Sequence, residues 1–185
     1  MKVLFAVSNE NISESIVKKY QKDYKEIISS KNVYYFNAIQ KELQKDNTYD
    51  RIVISEDLEP FTNNNYDAID RFIFDKLDAI SDEATNSRRN DTPIILICSD
   101  RRAKAEDILV KLFSIGIYDA VLGNDRSIDQ ICKLIRKPRV IRCIINPNTP
   151  PSSITWWYTN NHIRLPISRT STSISSSLWL TTTLT

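Results

Sequence analysis

Apolar residues in this chain fall into short continuous runs that alternate with stretches of period near 3.6. Val3 to Val7 is the first run, and Ile12, Ile16, Val17 and Tyr20 then mark one side of a helix that Asn11 is placed to cap. Glu26 to Ser29 reads as a weak second strand. After Val33 to Phe36, the positions Ala38, Ile39 and Leu43 give helical spacing over Ala38 to Lys45. Ile52, Val53 and Ile54 form a β-branched run of the kind found where both faces of a strand are covered. From Tyr66 to Ala84 the stripe Ile69, Phe72, Ile73, Leu77 and Ile80 recurs at helical spacing, with Asp67, Asp70, Asp75, Asp78 and Asp82 mostly off it, which predicts a long acidic amphipathic helix. Ile94 to Cys98 is a fourth strand, entered after Pro93. Ile108, Leu109, Leu112 and Phe113 predict a helix ended by Gly116, and Tyr118 to Leu122 a fifth strand. Ser127-x-x-Gln130 has capping-box form and opens a last helix, with Ile128, Ile131, Leu134 and Ile135 facing inward, that stops at Pro138.

Five strands alternating with five helices predict an α/β fold with a parallel sheet, because right-handed crossovers place helices on both of its faces. The expected form is a flavodoxin-like three-layer sandwich with strand order 2-1-3-4-5.

Composition divides the chain. Every Asp and Glu lies at or before Asp129, and the last Lys is Lys137. The segment after residue 139 holds 17 Ser and Thr, all three tryptophans (Trp156, Trp157, Trp179) and His162, the sole histidine. Residues 1–139 are therefore expected to form the folded domain. Residues 140–185 form a Ser/Thr-rich tail with two readings: a disordered extension, or an out-of-frame translation that removes Lys, Asp and Glu together.

Charge and chemistry narrow the function. The first 139 residues carry 22 Lys and Arg against 23 Asp and Glu, so no net field attracts nucleic acid or an anionic membrane. No run approaches the roughly 18 to 20 apolar residues that span a bilayer, and a cytoplasmic location is expected. Cys98, Cys132 and Cys143 match neither a disulfide framework nor a zinc site and read as buried structural thiols. With only Gly116 and Gly123, the chain has no phosphate-binding glycine loop, and residues 1–139 have no histidine to serve Ser99 or Cys98 as base. Catalytic residues, metal and cofactor are all expected to be absent.

Three segments, Asp50 to Pro60, Pro93 to Asp100 and Ile115 to Asn124, resemble response-regulator receiver domains of the CheY-like type. In receivers an apolar third strand ends in the phospho-accepting Asp, with Pro four residues later; here Ile52-Val53-Ile54-Ser55 is followed by Glu56 and then Pro60. The positions equivalent to the Mg²⁺-holding acidic pair are Ser8 and Asn9, the fourth strand closes on Cys98 and Ser99 where Thr or Ser is usual, and Gly123-Asn124 replaces Lys-Pro. The resemblance implies a degenerate receiver, weakly similar to the atypical receivers that open the TadZ and CpaE pilus-localisation ATPases. It also implies a non-catalytic, phosphorylation-independent module that binds a protein partner or a second copy through the face from Lys104 to Arg136. Glu56 would then stand as a fixed negative charge, against the plainer expectation of a solvated loop residue. The alternative is a flavin- or nucleotide-binding protein using a crevice where Ser8, Asn9, Glu56, Asp57, Ser99 and Asp100 converge.

Overall fold

A computed structural model of the chain describes residues 1–61, 65–86, 92–100, 106–122, 126–139, 141–144, 154–158 and 167–169, the last three segments and 106–108 by their backbone course. The first unit, Met1–Pro138, is built from β1 (Lys2–Ala6), α1 (Glu10–Tyr24), β2 (Ser29–Val33), α2 (Phe36–Lys45), β3 (Arg51–Ser55), α3 (Tyr66–Asn86), β4 (Ile94–Ile97), α4 (Glu106–Ser114), β5 (Asp119–Val121) and α5 (Ile128–Arg136). The strands are parallel, in the order β2-β1-β3-β4-β5. The flavodoxin-like topology expected from the pattern is the one observed.

Alternation along the strands builds two cores. Leu4 and Ala6 of β1, Ile52 and Ile54 of β3, and Ile94 and Leu96 of β4 pack with Phe36, Ile39, Ile73, Leu77, Ile80 and Leu112, so α2, α3 and α4 cover one face. Val3, Phe5, Val53 and Ile95 point the other way, onto Ile16, Tyr20, Ile131 and Ile135 of α1 and α5. Both faces of the central strands are dry, which is why they read as unbroken apolar runs.

Four local expectations are corrected. The second strand is Ser29–Val33, displaced from Glu26 to Ser29; an edge strand with four polar residues and a mostly exposed pattern carries little hydrophobic signal. Helix α1 is capped by Asn9, two residues before Asn11: Asn9 has extended dihedrals and its side chain accepts from the Asn11 N–H. Ile128 is exposed, and Cys132 takes the inward position instead. The fifth strand begins at Asp119, which is buried. The Ser127 cap is as the sequence indicates, with its Oγ accepting from the Gln130 N–H. Gly116 ends α4 with φ +83°, a conformation that side chains rarely adopt.

The second unit, Arg139–Thr185, contains β6 (Ile141–Ile144), β7 (Ile154–Tyr158) and β8 (Ile167–Arg169) in an antiparallel sheet ordered β6-β7-β8, where the sequence pattern placed no element. Cys98 and Cys132 are buried thiols. Burial pushes the Cys132 thiol up to about 11, which keeps it protonated and inert. The side chain of Cys143 lies outside the described residues.

Candidate functional site

Ligands and signals in this topology meet the carboxyl ends of the strands. Glu56 follows β3 there. Parallel register pairs Ser55 with Ile97, so Glu56 leaves β3 beside the exit of β4, and its N–H donates to the Ile97 carbonyl at 2.9 Å. Its side chain turns inward and is only 2% exposed, and Oε2 accepts from the Ser99 N–H at 2.8 Å. A buried carboxylate of this kind is tolerated because a backbone dipole answers it. The expectation of a solvated loop residue is overturned for Glu56.

The loop after β3 has a second anchor. Helix α2 begins with Tyr35 as N-cap, whose side chain makes no capping bond, and Glu59 supplies the acceptor from outside, taking the Phe36 N–H at 2.6 Å. A carboxylate at a helix N-terminus is favoured by the axial dipole. Between the two anchors Leu58 is buried, whereas Asp57 is exposed and its N–H donates to Ser55 Oγ.

A cation also reaches this end of the sheet. Arg126, immediately before the α5 cap, donates from one guanidinium nitrogen to the Cys98 carbonyl at 3.0 Å and from the other to the carboxylate of exposed Asp100. The Cys98 N–H in turn donates to the Val121 carbonyl of β5 at 3.0 Å. Glu56 and Arg126 thus hold the start of the β4–α4 loop from two sides, through backbone groups one residue apart. Sequence reading missed Arg126, since a lone arginine in a loop carries no spacing signal. The structure brings Glu56, Cys98, Ser99 and Asp100 together. Ser8 is exposed after β1, and Asn9 is spent on capping α1. Gly123 and Asn124 lie outside the described residues.

With the topology and this end of the sheet in view, the solved structures can be compared. Over 74% of this chain and 87% of its own length, the structure is similar to a pilus assembly-related protein from Burkholderia pseudomallei, with TM-score 0.51 at 9% identity. The first unit has the CheY-like fold. Other solved structures to which it is similar are the pilus assembly protein CpaE of Caulobacter crescentus (TM-score 0.49, 10% identity, 72% and 88% coverage) and the signal receiver domain of a LuxO repressor protein from Vibrio parahaemolyticus (0.47, 18%, 73% and 86%). No family model and no curated protein matches the chain.

A receiver fold implies a divalent cation, and the donor set does not fit one. A hard cation takes carboxylate oxygens. Ser8 and Asn9 offer neutral oxygens, the Asn9 amide oxygen is engaged at the α1 cap, and one Glu56 oxygen is engaged by Ser99. Among the described residues no group of three or more His, Cys, Asp or Glu is placed to hold a metal. No helix among the described residues is long and apolar enough to cross a membrane.

Proposed function

We propose that this chain is a non-catalytic, phosphorylation-independent receiver-like regulatory module whose switch loop is held in one state by Glu56. The observation that carries this reading is the buried Glu56 side chain, whose Oε2 accepts from the Ser99 N–H, at the position that the receiver resemblance assigns to the phospho-acceptor. A single carboxylate carries one charge where a phosphate carries up to two, so the contact substitutes for one oxygen of such a group.

The docking surface in this reading is the face from Lys104 to Arg136, formed by α4, β5 and α5, and it engages a protein partner or a second copy. Support comes from Val110 and Ile128, large apolar residues exposed on the two helices that flank β5, and from β5 being the outer strand of its sheet. Lys104 itself lies outside the described residues. The same reading puts the module in the cytoplasm, where free thiols stay reduced.

The test is incubation of the protein with acetyl phosphate and Mg²⁺. The expected result is no acid-labile phosphate, because the acceptor Asp and the acidic pair are both missing. Incorporation at Asp57 would overturn the reading. In sedimentation, Asp57→Asn should leave the oligomeric state unchanged, while charge changes across Lys104 to Arg136 alter it.

A further inference from the structure

Away from this site, the carboxyl end of α1 forms an open groove of about 520 Å³ lined by Lys18, Gln21, Lys22, Lys25 and Ile27. Lysines near a helix C-terminus are ordinary, since they complement the axial dipole. Two features of this groove go beyond that. Ile27 is 75% exposed beside the lysines. Lys25 is the one non-glycine residue at positive φ among the described residues, at 57°, in the capping position that glycine or asparagine usually fills. A lysine kept there retains its charge at a cost in backbone energy.

The complementary surface is on the same chain. Asp75, Asp78 and Asp82 are exposed along α3, and Phe72 is partly exposed one turn earlier. The lysines are spaced by four and three residues, and the aspartates, taken in the reverse direction, by four and three as well. Laid antiparallel, Lys18, which also pairs with Glu14 of its own helix, faces Asp82, Lys22 faces Asp78 and Lys25 faces Asp75. Helix α1 covers one face of the sheet and α3 the other, so one molecule cannot make this contact with itself.

We infer that the α1 groove docks the acidic face of α3 from a second copy of this chain. The contact is heterologous: each copy offers one groove and one stripe, and the assembly grows head to tail unless its rotation closes a ring. It shares no lining residue with the α4–β5–α5 face, which it meets at Arg136 beside Glu26, and the substitutions below alter the groove and the stripe alone.

Sedimentation velocity on the full chain at low and at high salt tests it. Association should strengthen with protein concentration and weaken by about tenfold as salt screens the ladder. Lys22→Glu alone and Asp78→Lys alone should each abolish it. An equimolar mixture of the two variants should associate again, because each retains one intact half of the contact and the two reversed charges face one another in the other half. Lys25→Gly should raise the melting temperature while weakening association, a pairing of effects that a merely structural cap would not produce. A monomer at every concentration at low salt, association indifferent to Lys22→Glu and Asp78→Lys, or a mixture that stays monomeric would overturn the inference.

Discussion

Strand β3 meets opposite charges at its two ends, and the two are satisfied differently. At the amino end Arg51 is half-buried: its Nε donates to the Ile135 carbonyl of α5 at 3.0 Å, and a second nitrogen donates to the Asp50 carbonyl. Burial lowers its pKa, opposed by Asp50, Tyr20 and Asp119. Just past the carboxyl end, Glu56 holds a loop N–H. The arginine joins a strand to the last turn of a helix, and the glutamate joins one loop to another. The amino end therefore serves the stability of the whole unit, whereas the carboxyl end fixes the shape of a surface.

The largest effect should follow from Arg51→Met, which leaves the Ile135 carbonyl without its charged donor and opens the α5 terminus. Unfolding in urea should show a loss of about 3 kcal/mol. A loss below about 1 kcal/mol would remove the contrast between the two ends.

Glu56→Ala should cost less, about 2 kcal/mol, from loss of the carboxylate acceptor on the Ser99 N–H. Hydrogen exchange at the Ser99 amide should quicken well beyond that of the Arg51 neighbourhood, and Glu56→Gln, which keeps an acceptor, should recover most of the loss. Uniform quickening across the unit would show that Glu56 is as global as Arg51.

Arg126→Ala should loosen the same loop for about 1 kcal/mol, measured by thermal melting, while Asp100→Asn should change almost nothing because that carboxylate stands in solvent.

The smallest effect concerns pH at the amino end. Hydrogen bonds from Lys2, then from Thr48, hold the Asp46 carboxyl well below its ordinary value. A lowered acid contributes stability above its unfolded value of about 3.9 and loses it as pH falls toward the folded one. Asp46→Asn should thus destabilise at pH 7 and progressively less below pH ~4. Equal destabilisation at pH 7 and at strongly acid pH would show that the pair acts through packing.

How much of this was readable in advance depends on what each residue answers to. Strands β1, β3 and β4 were legible because both of their faces are buried, and the Ser127 cap and α3 because their signals are local. Strand β2 was not, since Ser29, Ser30, Lys31 and Asn32 sit at an edge where no burial pattern is imposed. Glu56 was identified through its spacing from Pro60. Its burial follows only once β3 and β4 are adjacent in parallel register, a consequence of the expected strand order that was not carried to the side chain. Arg126 answers to a carbonyl 28 residues away, and no local pattern encodes such a reach.

The Glu56 contact has a further consequence, in time. A phosphoryl group on a receiver is added and hydrolysed, so the state it supports has a half-life separate from that of the protein. A carboxylate is installed at translation and leaves only with the chain. In the proposed function, the message of this loop lasts as long as the polypeptide and its strength is set by synthesis and degradation, so the module is read by counting copies.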